Sequence, residues 1–457
     1  MKATYSYRQL HESFMQNHNG TSVWENITVI TPGPVLVYFI GLIQFYLFQG
    51  KSRNKWEHAV SFIIQFICFI YFLILNFTVL SYYIYIHVIL LLIAYFSILF
   101  CYLKNTSKEF FILPRKRIEP RPYFTYFRSI VSIMTSICIL AVDFHIFPRR
   151  YAKTETFGYG LMDTGVGFYI IANGIVIKQN HPQNDLIKSI RSSLPLIFLG
   201  IIRCASLETL DYQRHITEYG VHWNFFFTLA FVKLISSLLI YNYPRSVTGM
   251  AILTALSHQM LLYFVTEQWI ITDSPRSNIV SANKEGLTSL PGYISLYLFG
   301  VAIGKFLNKR HVRLIDDVRH GLNAFFWALI LLIFTLFLQL LFNVSRRLAN
   351  LTYITWMLTM SLYGISLSIF SEIALRMSLR INREDLELFT PSILNAINYN
   401  ILFYFLLSNL FTGLVNLILQ TYFANKMLSL VILILYKFCV CGIVYVLYLN
   451  KIKVKFW

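Results

Sequence analysis

The sequence is poor in charge. Charged residues make up 13% of the 457 positions, about half of the roughly 25% found in an ordinary soluble domain. Acidic residues are the scarcest, with 21 Asp and Glu against 39 Lys and Arg. This shortage argues against a soluble globular protein, and the 56% hydrophobic content excludes a disordered chain.

Cysteine and the common catalytic motifs are also missing or sparse. The six cysteines lie in apolar stretches without a Cys-x-x-Cys pair, which indicates small buried residues and excludes a disulfide scaffold. There is no Gly-x-Ser-x-Gly elbow, no P-loop and no His-Glu-x-x-His helix. The polar first 25 or so residues lack the apolar core of a cleaved signal peptide, so the first span is expected to act as its own insertion signal.

Long apolar runs fill most of the chain. A bilayer core of about 30 Å requires about 20 residues per spanning helix, and the runs predict an all-α polytopic integral membrane protein with about 13 transmembrane helices in a single domain, residues 1–457. The predicted spans are Val29–Phe48, Ala59–Val79, Tyr82–Leu103, Tyr123–Val142, Leu161–Ile177, Leu194–Leu210, Phe225–Tyr241, Met250–Ile270, Tyr293–Leu307, Leu322–Asn343, Tyr353–Ile373, Ile393–Leu414 and Leu428–Leu449.

The basic residues orient these spans. With residues 1–27 as a lumenal tail and 450–457 as a cytosolic tail, most of the 39 Lys and Arg face the cytosol, as the positive-inside rule requires. The formal net charge of +18 is therefore an orientation signal, and no nucleic-acid partner is predicted. Sequons at Asn19 and Asn26 predict glycosylation of the lumenal tail, although Asn26 lies close to the membrane.

Two lysines close to the predicted cytosolic end suggest a location. Lys453 and Lys455 have the spacing of a dilysine retrieval signal, which predicts a multi-pass protein of the endoplasmic reticulum membrane. The alternative is a basic cap beside the membrane.

One cluster of cations lies on the predicted lumenal side, against the topological bias. Arg149, Arg150 and Lys153 follow the fourth span. The planar, fork-shaped guanidinium groups suit a phosphate, so both arginines are predicted to bind substrate. The alternative is that these side chains only reach toward lipid headgroups.

The same cluster contains a candidate acid–base group. Asp143 ends an apolar helix, and Pro148 turns the chain so that Lys153 can approach Asp143. A carboxyl group in such a place has a raised pKa unless it is paired, which suits a general base that deprotonates an alcohol. Lys153 would orient the carboxylate or stabilise an oxyanion. The alternative is a structural Asp–Lys ion pair.

Further polar residues in the segments that follow are predicted to contact substrate. They are Glu155, Asp163, Asn173, Glu218, His222 and Asn224. Glycines around Asn173, such as Gly174, would let helices or an acyl chain approach the backbone, and ordinary helix packing is the more frequent explanation. The ligand set around His215, Glu218 and His222 is incomplete, so no metal site is predicted.

At these residues the sequence resembles the inositol acyltransferases of glycosylphosphatidylinositol (GPI) anchor synthesis, the family of GPI-anchored wall transfer protein in fungi and PIG-W in mammals. The matching segments recur in the family's order over the first two-thirds of the chain; they are residues 143–155, 161–167, 171–175, 217–227 and 282–286. The last third matches mainly as hydrophobic spans.

The resemblance implies an acyl-CoA-dependent O-acyltransferase in the endoplasmic reticulum. It would move a long acyl chain, usually palmitoyl, from acyl-CoA to the inositol 2-hydroxyl of glucosaminyl-phosphatidylinositol. It implies no cofactor, because acyl-CoA is a substrate, and the other partners are membrane lipids. The Asp and Lys of the family's first motif fall on Asp143 and Lys153, which the resemblance therefore implies as the catalytic pair. A lipid or solute transporter and a non-catalytic subunit of anchor synthesis remain as alternatives.

Overall fold

A computed structural model describes residues 7–16, 18–48, 54–104, 122–177, 182–209, 216–272, 275–308, 313–380 and 389–455. Within these ranges the chain is helical and forms no β-strand beyond isolated bridges between Tyr159 and residues 20–21. The predicted all-α class is thereby confirmed for the described part of the chain.

The helices are numbered here in chain order. The first ten are α1 (Tyr7–Phe14), α2 (Val23–Ile30), α3 (Pro32–Phe48), α4 (Lys55–Gln65), α5 (Phe72–Phe77), α6 (Ile84–Leu103), α7 (Pro122–Ala141), α8 (Asp163–Ile175), α9 (Pro182–Thr209) and α10 (Ile216–Tyr219). The remainder are α11 (Phe225–Asn242), α12 (Val247–Leu261), α13 (Glu267–Ile271), α14 (Ile279–Ala282), α15 (Lys284–Thr288), α16 (Leu290–Leu307), α17 (Leu314–Gln339), α18 (Leu351–Leu379), α19 (Ser392–Tyr399), α20 (Ile401–Ile418) and α21 (Lys426–Leu449). Short π or 3₁₀ turns at Phe66–Tyr71, Val79–Tyr83, Arg149–Tyr151, Leu262–Thr266 and Thr421–Phe423 complete the described helical structure.

Eleven helical segments of the described residues are long and apolar enough to cross a membrane. Two further predicted spans correspond to α8, which has 13 residues, and to α9, whose first half is polar. At 1.5 Å per residue, α8 alone extends only about 20 Å. The chain is therefore a multi-pass membrane protein, while the count of 13 and the lumenal position of the N-terminus stay predictions.

One predicted span has a different boundary in the structure. The apolar run from Ile393 to Leu414 is divided at Asn400, where α19 ends and α20 begins. The Asn400 side chain donates to the carbonyl of Ile452 and accepts from the amide of Val454. This contact with the chain after α21 replaces helical continuity, and the membrane-length helix begins at Ile401.

Helix α18 lies at the centre of the bundle. It packs against α3, α7, α8, α16 and α17, and residues around its whole circumference are buried, Trp356 and Met360 among them. A helix that is apolar on every side is stable only when neighbours surround it. Helix α18 therefore forms the frame on which the helices that bear the site are arranged.

Helices α8 and α16 approach closely through glycine. A Cβ atom on Gly174 would lie 2.4 Å from the carbonyl oxygen of Tyr297, and one on Gly300 would lie 2.6 Å from that of Ile171. Close backbone contact of this kind requires small residues. Helix packing therefore accounts for Gly174.

A buried lysine on one helix forms hydrogen bonds to two neighbouring helices. Lys437 of α21 is fully buried; its ammonium group donates to Ser136 Oγ of α7 at 2.5 Å and to the hydroxyl group of Tyr404 on α20. A buried polar group has to be hydrogen-bonded to be tolerated in an apolar core. These bonds hold α7 and α20 together near the end of α7, where Asp143 lies.

Candidate functional site

Loops that are distant in sequence meet at one end of the helices. We refer to residues 142–162, 216–224, 282–285 and 343–350 as the loop cluster. The amide of Gly158 donates to the carbonyl of Val344 at 3.0 Å, and the amide of Val221 donates to that of Ala282 at 2.9 Å. The motifs predicted to share one side of the membrane thus lie together.

Asp143 directly follows α7 and is 4% exposed. Its Oδ2 accepts a hydrogen bond of 2.8 Å from Asn416 Nδ2 on α20, and its Oδ1 lies 3.7 Å from His11 Nε2 on α1. Burial raises the pKa of this carboxyl group, although the Asn416 hydrogen bond and the positive charges of His11, Arg149 and Lys153 act in the opposite direction. Once ionised, a carboxyl group with a raised pKa is a stronger base than an ordinary aspartate.

Lys153 lies in the same loop but has a different partner from the one predicted. Its Nζ atom forms an ion pair of 2.6 Å with Glu218 Oε1, and the Lys153 side chain is 40% exposed. Lys153 nevertheless influences Asp143 electrostatically, because its charge lowers the Asp143 pKa. The structure thus brings Lys153 into the neighbourhood of Asp143, while Glu218 holds its ammonium group.

The two arginines of the motif have internal partners. Arg149 Nη2 donates to the carbonyls of Val142 and Phe144 at 2.8 and 3.2 Å, and its guanidinium group lies 3.9 Å from the centre of the Phe14 ring. Arg150 forms an ion pair of 2.8 Å with Glu25. Arg149 therefore satisfies carbonyl groups around the end of α7, whereas the Arg150 side chain remains 32% exposed.

Asp163 has a very different environment. It is fully buried; its Oδ1 forms an ion pair of 2.7 Å with Arg346 Nε, and its Oδ2 accepts from the backbone amide and hydroxyl of Thr154 at 3.0 and 2.8 Å. A Cβ atom on Gly160 would lie 2.4 Å from Asp163 Oδ2, so glycine is required there. This carboxylate fastens the loop after α7 to the loop before α18.

Glu218 joins the Asp163 contacts to Lys153. The Glu218 carboxylate lies 3.6 Å from Arg346 Nη1 as well as 2.6 Å from Lys153. Although burial disfavours the charged guanidinium group, the carboxylates of Glu218 and Asp163 raise the pKa of Arg346 well above its ordinary value. Two carboxylates and two cations thus form one connected network.

The remaining predicted binding residues fall into two groups. Glu155 accepts a hydrogen bond of 3.1 Å from Thr217, and His222 is exposed. By contrast, Asn224 caps α11 by accepting from the amides of Phe226 and Phe227. Asn173 donates to the carbonyl of Tyr169 in its own helix. Asn224 and Asn173 therefore have a structural explanation, whereas Glu155 and His222 have surface accessible to a ligand.

The asparagines of the two sequons also differ in their exposure to solvent. Asn19 is exposed, whereas Asn26 is fully buried in α2 and donates to the carbonyl of Tyr159 at 3.1 Å. The packed Asn26 side chain argues against a glycan at that position, and the glycan on Asn19 stays a prediction.

Several residues of the loop cluster were missed by sequence reasoning. Arg346 and Arg347 are buried; Arg347 Nη2 lies 3.0 Å from Glu285 Oε1, which also pairs with Arg276 at 2.6 Å. Both residues are cations on the predicted lumenal side, so the argument that singled out Arg149 applies to them equally. Asn416 carries no comparable signal, because it is one amide in an apolar helix.

The described residues contain no group of three or more His, Cys, Asp and Glu side chains that could hold a metal ion. His215, considered as a partner of Glu218 and His222, lies outside the described residues.

The fold and the loop cluster define a class: a multi-pass α-helical membrane protein with a buried carboxyl group and an ionic network at one end of its helices. The GWT1 family model matches residues 7–447. An uncharacterized protein of Arabidopsis thaliana is 36% identical over 89% of this chain and 90% of its own. The glucosaminyl-phosphatidylinositol-acyltransferase PIGW of Bos taurus is 33% identical over 99% and 100%, respectively.

A fungal relative, GPI-anchored wall transfer protein 1 of Gibberella zeae, is 30% identical over the whole of both chains. The chain belongs to the GWT1 family. It is an acyltransferase, as the resemblance implied.

Proposed function

We propose that the protein transfers a long acyl chain such as palmitoyl from acyl-CoA to the inositol 2-hydroxyl of glucosaminyl-phosphatidylinositol, in the endoplasmic reticulum membrane, as a step of GPI-anchor biosynthesis. The glycolipid acceptor is supported by the names of the mammalian relatives. The observation that carries the chemistry is Asp143, a buried carboxyl group with a raised pKa.

In the proposed reaction Asp143 takes the proton of the inositol hydroxyl while the hydroxyl oxygen attacks the thioester carbonyl. The tetrahedral intermediate then collapses: the carbon–sulfur bond breaks, the CoA thiolate leaves, and Asp143 returns the proton to it. General-base assistance of this kind contributes about 10²- to 10⁴-fold in rate. Direct attack is proposed because it requires only the base and no acyl-enzyme intermediate, and the thiol of Cys138 on α7, the helix that precedes Asp143, is buried.

Lys153 is the proposed support for the oxyanion. Its side chain is 40% exposed and its pairing with Glu218 fixes where the ammonium group lies. A positioned cation stabilises charge that develops on the carbonyl oxygen. Glu218 would then serve both to hold Lys153 and to border the acceptor site.

The lipid phosphate is assigned to Arg150 more than to Arg149. The Arg150 side chain is 32% exposed and binds Glu25 through Nε, so the outer part of its guanidinium group is proposed to bind a phosphate. Arg149 is engaged by backbone carbonyls. Among the other predicted contacts, Glu155 and His222 are proposed to bind the acceptor, and Asp163, Asn173 and Asn224 to support the site.

Reconstitution tests this function. Purified protein in liposomes, given palmitoyl-CoA and synthetic glucosaminyl-phosphatidylinositol, is expected to form the inositol-acylated lipid, detected by mass spectrometry. An acceptor methylated at the inositol 2-hydroxyl is the matched control and should stay unmodified. Failure of active-site-intact, monodisperse protein to acylate would favour a non-catalytic subunit, and movement of the lipid across the bilayer without acylation would favour a transporter.

A variant pair tests the role of Lys153. Lys153→Ala is expected to lower kcat, and Glu218→Gln to lower it less, because the ammonium group remains. Equal, near-normal rates in both variants would remove Lys153 from the mechanism.

A further inference from the structure

Helix α20 supplies one polar side chain to Asp143. Asn416 lies within the last turn of α20, 273 residues after Asp143, and its Nδ2 atom is 2.8 Å from Asp143 Oδ2. No Lys or Arg among the described residues forms an ion pair with Asp143. The amide of Asn416 is therefore the principal hydrogen-bond donor to this carboxyl group in the described part of the chain.

Two other asparagines in apolar helices of this protein satisfy their donors within their own helix. Asn409, two turns earlier in α20, donates to the carbonyl of Phe405, and Asn173 in α8 donates to that of Tyr169. A bond to the carbonyl four residues earlier is the ordinary way for such a side chain to satisfy its donor within its own helix. Asn416 instead reaches across to another element, so packing within α20 does not explain its orientation.

The chemistry of the two groups fixes how the amide is turned. An ionised carboxylate only accepts hydrogen bonds, so the amide must present its nitrogen to Asp143. The Asn416 Oδ1 atom is buried and receives no hydrogen bond from the described residues. The bond to Asp143 is therefore the side-chain hydrogen bond by which the described structure orients this amide.

We infer that Asn416 is a positioning residue for acyl transfer, which holds the Asp143 carboxylate through Nδ2 in the orientation needed to take a proton from the acceptor hydroxyl. This inference rests on the proposed function, because it gives Asn416 a task only if Asp143 is the base. Carboxylates that accept an oriented hydrogen bond lose rotational freedom and keep one oxygen directed at the substrate.

The same bond adjusts the acidity of Asp143. The groups that face the carboxyl group are His11 from α1, Arg149 and Lys153 from the loop after α7, and Asn416 from α20, and each lowers the Asp143 pKa against the effect of burial. Removal of the Asn416 donor should therefore raise the Asp143 pKa. Because the base acts only when ionised, the acid limb of the rate profile should move to higher pH.

The experiment measures kcat/KM for glucosaminyl-phosphatidylinositol against pH, with palmitoyl-CoA saturating, in the reconstituted full-length protein. Asn416→Ala is expected to lower kcat/KM about 10- to 100-fold and to move the acid limb to higher pH. Asn416→Asp keeps the size of the side chain but replaces the donor by a second carboxylate, so it should move the acid limb further. Asn409→Ala, from the same helix, is the matched control and should leave both quantities unchanged.

The outcomes separate this inference from the function on which it rests. Transfer by the wild type, with a normal rate and an unmoved acid limb in a folded Asn416→Ala or Asn416→Asp variant, overturns the positioning role and leaves the function standing. Absence of transfer by the wild type overturns the function itself. If Asn416→Ala does not yield monodisperse protein, the isosteric Asn416→Asp variant decides the question.

Discussion

Two buried aspartates, 20 residues apart, show how the same side chain serves different purposes: Asp143 lies in the loop cluster and Asp163 begins the adjoining helix α8. Asp163 is surrounded by donors: the guanidinium group of Arg346 and two groups of Thr154. Asp143 accepts one hydrogen bond from an amide and lies 3.7 Å from a histidine. A saturated carboxylate fastens loops together, whereas an under-bonded one retains the capacity to accept a proton from a substrate.

The largest expected effect comes from Asp143→Asn. The variant keeps the shape of the side chain but cannot take a proton, so acyl transfer should fall about 10²- to 10⁴-fold. The thermal midpoint of the detergent-solubilised protein should change little, because no ion pair with Lys or Arg is broken among the described residues. Near-normal acyl transfer by this variant would show that Asp143 is not the base. Both aspartates would then have a structural role only.

Asp163→Asn should affect stability instead. It removes the carboxylate 2.7 Å from the buried Arg346 and leaves only Glu218, at 3.6 Å, among the described partners; breaking a buried pair from one side costs up to about 3–5 kcal/mol. The measurement is thermal unfolding in detergent, and a clear fall in the midpoint is expected. Asp185→Asn is the control, because Asp185 pairs at 3.7 Å with Lys188, whose side chain is 77% exposed; such pairs contribute about 0–1 kcal/mol. An unchanged midpoint for Asp163→Asn would contradict its structural role.

The smallest effect is a shift in pH dependence. Since burial raises the Asp143 pKa, the rate should fall as pH decreases through a value above the ordinary aspartate pKa of about 3.9. Lys153→Gln removes a charge that lowers this pKa, so its acid limb should lie at still higher pH. Lys188→Gln, far more exposed, serves as the control. If the acid limb does not move in Lys153→Gln, the charge of Lys153 does not influence the Asp143 pKa.

The sequence predicts best those features that depend on a single segment or a single residue. Apolar length predicts a membrane helix because every backbone group must be satisfied within the segment, and the eleven membrane-length helices of the described residues follow the predicted runs closely. Asp143 and Lys153 could be singled out because a charge beside a membrane on the wrong side is costly wherever it occurs. Neither argument requires knowledge of how the helices pack.

The partners of these residues depend on packing and could not be predicted. Lys153 pairs with Glu218, 65 residues away, and Asp163 with Arg346, 183 residues away. Asn416 reaches Asp143 only because α7 and α20 lie side by side, with Lys437 bonded to both. Sequence separation carries no information about which loops meet.

The amino-acid sequence alone thus specifies a membrane-embedded helical chain, its family and the two groups on which the proposed chemistry depends. The packing of the helices determines the rest: it pairs Asp163 with Arg346, places Asn416 and His11 beside Asp143, and buries the Asn26 side chain. The physical reason is that hydrophobicity and charge act on each residue by itself, whereas hydrogen bonds and ion pairs act only between groups that the folded chain brings within about 3–4 Å.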